Sequence, residues 1–219
     1  MNARAGPDRS GVGPGRANPD RVDVDKVDVV LASTSRYRRD LLARLTTRFR
    51  VLAPEVDEAA LAGETAAALA ARLAQAKARA IAAQCTSAIV IGSDQAAELE
   101  GTILGKPGDV ERARTQLAAA SGREVIFNTA VCVIDSRRTE PREFAALDTT
   151  RVLFRRLEHG EIARYLERER PVDCAGSFKA EGLGIALFER IESQDPTALI
   201  GLPLIALSRL LREAGVDVI

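Results

Sequence analysis

Several short polar runs interrupt otherwise apolar stretches, and their side chains suit phosphate chemistry. Gly92-Ser93-Asp94-Gln95 follows Ile89-Val90-Ile91. A carboxylate at the end of a buried strand can hold a divalent cation or orient a water, although Asp is also a common turn residue. Ser33-Thr34-Ser35-Arg36-Tyr37-Arg38-Arg39 follows Val29-Val30-Leu31-Ala32. Where a strand hands over to a helix, free N–H groups and the helix dipole favour anions, and Arg38 can grip phosphate oxygens with two donors. The competing reading of this run is capping serines followed by a solvated basic face. Gly105-Lys106-Pro107 places one lysine in a rigid turn, facing either a phosphate charge or water.

Two further features fit the same chemistry. Leu73, Lys77 and Ile81 are spaced four apart, so Lys77 falls within the apolar stripe of a helix. Its amine either snorkels to solvent or enters a polar cleft at the helix flank. After Pro54, the acidic run Glu55, Asp57 and Glu58 either completes a metal site or forms a solvated turn. Carboxylates, lysines and an arginine without a His or Cys nucleophile suit metal-assisted attack of water on a phosphoanhydride. No Gly-rich loop ending in Lys-Ser/Thr occurs, which disfavours a P-loop ATPase.

The elements that position these residues alternate between strand and helix. Short strands are expected at 29–32, at 50–53 ended by Pro54, and at 89–91 stopped by Gly92. Ser35 is a fair N-cap for a helix carrying Leu41, Leu42 and Leu45, and the Ala- and Leu-rich stretch 65–84 is the clearest helix. Asp109 caps another helix, closed by Ser121-Gly122. Strands at 125–134 and 143–154 flank a polar connection, a charged helix covers 158–168, and a last helix runs from Pro203 to Ala214. This order predicts an α/β fold with helices on a mixed sheet.

Bulk properties exclude several classes. The 31 basic residues balance 31 acidic ones, so no global field calls for nucleic acid or a membrane surface, and no apolar run approaches membrane-spanning length. Cys85, Cys132 and Cys174 show neither disulfide nor metal spacing and read as small hydrophobes of a reducing cytosol. The single histidine, His159, opens a solvated helix, which argues against a histidine dyad. Residues 1–25, rich in Pro and Gly and without apolar period, read as a disordered extension lacking a signal peptide's apolar region; one domain is expected over 26–219.

Taken in order, Leu31-Ala32-Ser33-Thr34-Ser35 with Arg38-Arg39, Pro54-Glu55-Val56-Asp57-Glu58, Gly92-Ser93-Asp94-Gln95 and Gly105-Lys106-Pro107 resemble the Maf family of nucleoside triphosphate pyrophosphatases. The likeness runs from Val29 to the C-terminus. Cys174-Ala175-Gly176-Ser177-Phe178-Lys179-Ala180-Glu181-Gly182 and Asp195-Pro196 through Gly201-Leu202-Pro203-Leu204 look like the subgroup acting on 7-methyl-GTP. The resemblance implies an elongated mixed β-sheet flanked by helices, with two lobes and a central cleft as in inosine triphosphate pyrophosphatase-like folds. It also implies cleavage between the α and β phosphates with Mg or Mn, giving a nucleoside monophosphate and pyrophosphate.

By resemblance, Asp94 is the proton acceptor and, with Glu58, a metal ligand. Lys77, Lys106, Arg38 and Glu58 accompany it in catalysis, Ser33 and Arg38 hold the substrate, and Tyr37, Gln95 and Glu181 set base choice. A 7-methylguanine ring is cationic, so the face of Tyr37 can attract it, and the Glu181 carboxylate can accept from the paired N–H edge of guanine. Two residues depart from the family pattern: Arg36 stands where proline is usual and Tyr37 where the subgroup has tryptophan. The expected partner is a nucleotide, without nucleic acid or membrane, with pairing of two copies and a cytoplasmic location. The alternatives are a broader pyrophosphatase for dTTP, UTP or other modified nucleotides, and a nucleotide-binding regulator of septum formation.

Overall fold

Alternation along each strand divides the core. In the computed structural model, which describes residues 21–219, β1 (Val22–Asp23) leads through a tight turn to β2 (Val29–Ala32), α1 (Arg36–Leu42) and β3 (Phe49–Leu52). Then come α2 (Ala66–Ala82), β4 (Ile89–Leu99), β5 (Thr102–Leu104), α3 (Val110–Ala120), β6 (Glu124–Asp135) and β7 (Arg142–Phe154). The chain ends with α4 (His159–Glu169), β8 (Phe188–Glu192), α5 (Leu204–Glu213) and β9 (Val216–Asp217). A seven-stranded sheet has the order β3-β2-β4-β6-β7-β8, with β5 paired to β4 off this path. The β2–β3 and β2–β4 pairs are parallel and the others antiparallel, so the expected mixed sheet flanked by helices is what forms.

Val29, Leu31, Ile89 and Ile91 face α1 and α5, where they meet Leu41, Leu42, Leu207 and Leu211. Val30, Ala32, Val90 and Cys132 point to the other face and pack beneath α2 on Leu73, Ala74, Ala78 and Ile81. Both faces of β2 and the start of β4 are therefore covered, which is why these strands read as unbroken apolar runs. A separate cluster gathers Leu99, Leu117, Phe127, Phe154, Leu166 and Phe178 at the far end of β4 and β6. β4 and β6 run through both ends of the molecule and join them.

Several elements depart from the sequence expectation. Gly92 does not stop a strand: β4 continues to Leu99, paired with β6 from Ile89↔Asp135 to Glu98↔Ile126. Its lack of a side chain serves another purpose, because a Cβ there would lie 2.4 Å from the Ala74 carbonyl oxygen and 2.6 Å from the Ala78 nitrogen. Glycine thus lets α2 rest directly on β4. The expected extension over residues 1–25 lies outside the described residues up to residue 20. From Arg21 onward the chain is built in: β1 pairs with β9, Val24 is buried, and Thr46 donates to Asp25 at 2.6 Å. Strands β1, β5, β8 and β9 escape a periodicity reading because they are short or lie at an exposed edge.

Candidate active site

β2 ends at Ala32 opposite Gly92, and β4 carries on past it. Asp94 therefore sits mid-strand, two residues beyond the end of its parallel neighbour, where that neighbour's absence leaves open space. The close approach of α2 over Gly92 then brings Lys77 alongside. Lys77 Nζ donates to Asp94 Oδ1 at 2.6 Å and meets Glu58 Oε1 at 2.5 Å. Lys77 is only 6% exposed, so its amine turns inward to carboxylates and does not snorkel. Isolated burial of that ammonium would be costly; two carboxylates compensate it. The acidic run after Pro54 contributes a single ligand to this group, Glu58.

Asp94 and Lys77 line a cleft of 630 Å³ that separates the two ends of the molecule. That volume is in the range of small-molecule sites, roughly 300–1,000 Å³. Ser33, Arg38, Glu58 and Lys106 line it, with Glu58 under the charges of Lys106 and Arg38; Tyr37 and Glu181 line it beside Cys174, and Gln95 lines it too. All the residues expected to form the site thus share one cavity. Burial raises the Glu58 carboxyl, but the hydrogen bond and charge of Lys77, helped by Lys106 and Arg38, outweigh it, and the net pKa lies below the ordinary value. Burial also lowers the Arg38 guanidinium, against the pull of Asp94 and Glu58.

Arg38 is fixed by its Nε, which donates to the Gly201 carbonyl at 2.8 Å. Ser33 Oγ accepts from the Ser35 N–H at 3.1 Å, and the Ser35 hydroxyl accepts from the Arg38 N–H at 3.4 Å, so both serines shape the turn into α1. The capping and ligand-facing readings of this run are therefore compatible. The carbonyls of residues 198–201 anchor the site floor. The Ser93 hydroxyl is shared between the Ala130 and Gly201 carbonyls, and the Gln95 amide nitrogen donates to Thr129 Oγ1, Ala198 O and Leu199 O. With its nitrogen so engaged, Gln95 has its amide oxygen left as an acceptor.

That floor is itself held by Asp195, whose sequence signal is only the Asp-Pro of a motif. Buried Asp195 accepts from the Thr197 N–H and hydroxyl and from the Ile205 N–H at the start of α5. An Asp followed by Pro and Thr is a visible turn signal, but nothing in its spacing reveals which side chains the turn supports.

The opposite end is built from loops. Phe178 anchors one of them, packing edge-on against Phe127, Phe154 and Phe188. Lys179 turns away to the Glu169 carbonyl at 2.7 Å, leaving Glu181 exposed at the cleft. Tyr37 is partly covered by its neighbour: the Arg36 guanidinium carbon lies 4.7 Å from the ring centroid, and its Nη2 donates to the tyrosine hydroxyl at 3.1 Å. Burial pushes the Tyr37 hydroxyl up to about 12 and the Cys174 thiol up to about 12, so both stay neutral near pH 7. Cys174 is thereby a poor nucleophile.

Fold and cleft together define an α/β protein that can hold an anionic small molecule between a cationic end and an aromatic, acceptor-rich end. The chain belongs to the Maf-like protein family, whose profile matches residues 28–214. It is similar to the 7-methyl-GTP pyrophosphatase of Xanthomonas oryzae pv. oryzae, with 58% identity over 187 residues, covering 85% of this chain and 96% of that protein. The proteins of the same name from Albidiferax ferrireducens and Burkholderia thailandensis are 54% and 55% identical, over 87% and 85% of this chain and 95% and 87% of theirs. A structural likeness to the Staphylococcus aureus Ham1 protein, with a TM-score of 0.38 at 17% identity over 57% of this chain and 71% of that one, is too slight to carry an argument.

Proposed function

We propose that this chain is a nucleoside triphosphate pyrophosphatase that hydrolyses 7-methyl-GTP to 7-methyl-GMP and pyrophosphate. The observation that carries the reading is the Lys77 ammonium bridging Asp94 and Glu58 in a cleft that also holds Arg38, Lys106, Tyr37 and Glu181. The names of the similar proteins support the same substrate. Arg38 and Lys106 bind the triphosphate. Lys77 holds Asp94 in one orientation, ready to take a proton from water as the water oxygen attacks the α-phosphorus. The α–β anhydride bond breaks, pyrophosphate leaves with the bonding electron pair, and Asp94 retains the proton.

A divalent cation fits this donor set in one way. Among the described residues, no group of three or more His, Cys, Asp or Glu side chains could hold a metal. Asp94 and Glu58 each have a second oxygen beyond the one facing Lys77, and Mg²⁺ is commonly held by one or two carboxylates plus substrate phosphates. These two residues would therefore hold the ion only together with the nucleotide. When bound, it neutralises phosphate charge and polarises the phosphoryl oxygens.

At the other end, Glu181 and the Gln95 oxygen accept from the base edge while Tyr37 offers a ring face. The Arg36 guanidinium over that ring favours a second reading, a pyrophosphatase of broader base tolerance, because it competes with a cationic base. Among the described residues no helix is long and apolar enough to cross a membrane. A cytoplasmic location and pairing of two copies complete the proposal, the latter checked by sedimentation.

The test incubates purified protein with Mg²⁺ or Mn²⁺ and a nucleotide panel. Turnover should favour 7-methyl-GTP, release pyrophosphate rather than phosphate, and stop on chelation. Faster hydrolysis of dTTP or UTP would overturn the base assignment, and equal rates on unrelated purines would favour the broader enzyme.

A further inference from the structure

On α3, the buried positions Ala113, Leu117 and Ala120 define the core-facing side. Gln116 lies three residues after the first and four before the last, so it flanks that side and needs partners. Its amide finds two, in the separate segments that carry Lys106 and Glu181. Gln116 Nε2 donates to the Gly105 carbonyl at 3.0 Å, and Oε1 accepts from the Ser177 hydroxyl at 2.5 Å. Gly105 immediately precedes Lys106. Ser177 lies in the loop that carries Glu181, is fully buried, and has a left-handed φ of 62° next to Gly176 at 73°. Such a backbone persists when its surroundings over-determine it. Here the Phe127 ring, which a Cβ on Gly176 would meet at 2.8 Å, bounds one side and Gln116 the other.

We propose that Gln116 is a positioning residue that fixes the span between Lys106, on the phosphate side of the cleft, and the Glu181 loop, on the base side. A carboxamide suits this place because it donates and accepts at once; a carboxylate could not donate to the Gly105 carbonyl. A main-chain bond from the Gly108 N–H to the Val172 carbonyl at 3.0 Å ties the same two segments, so losing Gln116 loosens the span without detaching either wall. The consequence is particular. A ligand that touches both walls depends on Gln116, whereas one that touches the phosphate wall alone does not.

The inference rests on the proposed division of the cleft into phosphate and base ends. Its test uses the full chain and compares wild type with Gln116→Met, which keeps the volume and removes both bonds. KM and kcat are measured on the best nucleoside triphosphate, alongside competitive inhibition by inorganic tripolyphosphate, a probe of the phosphate wall alone. KM for the nucleotide should rise about tenfold, with kcat changed less, while the tripolyphosphate inhibition constant moves less than about twofold. Gln116→Glu, which still accepts from Ser177, should fall between. Should Gln116→Met fail to fold, Ser177→Ala breaks one side of the link and carries the same comparison. An unchanged nucleotide KM, or nucleotide and tripolyphosphate weakened by the same factor, would overturn the positioning role. A wild-type enzyme that prefers pyrimidine nucleotides defeats the base reading alone, and one without any turnover removes both.

Discussion

The two ends of the cleft are made by different means. At the proposed phosphate end, regular elements do the work: β4 carries Asp94, α2 carries Lys77, and Gly92 brings the two into contact. At the proposed base end, Tyr37 lies in a short helix while Cys174 and Glu181 sit on loops held by an aromatic cluster and by Gln116. Charges on a rigid frame keep their separation, which reaction chemistry demands. Recognition of a base tolerates loops, and loops are where specificity is most readily changed.

Damage at the phosphate end should cost rate, and damage at the base end should cost choice. The largest effect is expected for Asp94→Asn, which removes the proposed proton acceptor; kcat should fall by about 10²–10⁴, and the melting temperature should drop because buried Lys77 keeps only one compensating carboxylate. Rates within tenfold of wild type would show that another group takes the proton. Gly92→Ala comes next. Its methyl would collide with the α2 backbone, so we expect about 1–3 kcal/mol of lost stability by denaturant unfolding and at least tenfold slower turnover as Lys77 and Asp94 separate.

Changes at the base end should leave kcat on the preferred nucleotide closer to intact. Glu181→Gln exchanges a charged acceptor for a neutral amide, and the ratio of kcat/KM for 7-methyl-GTP over UTP should fall about tenfold. Arg36→Ala should act oppositely and more weakly. It uncovers the Tyr37 ring, so preference for the cationic base over unmethylated GTP should rise about two- to fivefold. If both variants instead lose kcat equally on every nucleotide, the contrast between the two ends fails.

The smallest expected effect is on stability against pH. Glu58 titrates below its ordinary value of 4.5 in the folded chain, so its pairing with Lys77 contributes above that pH. This contribution is lost as pH falls through the lower folded value. Without Lys77 the largest lowering influence on Glu58 is gone, so Lys77→Met should be less stable than wild type near pH 6 but lose less further stability as the pH falls. Urea unfolding across pH 3–6 reads the difference, and superimposable profiles would contradict the pairing.

Part of the proposed phosphate end is legible because two of its residues stand out against apolar surroundings. Lys77 interrupts an apolar stripe, and Asp94 follows an apolar run. The resemblance then placed Glu181 and Tyr37 by motif. Gln116 is equally visible as a polar residue beside a buried helix face, yet a lone glutamine carries no chemical signature. The role of Asp195 was hidden for another reason: its partners are main-chain N–H groups, which look alike at every position.

What the sequence determined alone is the set of chemical groups, the strand and helix alternation, and the family. Those follow from residue type and near-neighbour spacing, which act within a few residues. Tertiary structure decided that β4 continues through Gly92, that Lys77 turns toward two carboxylates, and that Arg36 lies over Tyr37. Each depends on residues brought close by packing: Gly92 against α2, and Lys77 against Asp94 seventeen positions away and against Glu58 across a loop. A glycine in a strand pattern signals an interruption or a close approach with equal force, and only the helix that arrives over it settles which.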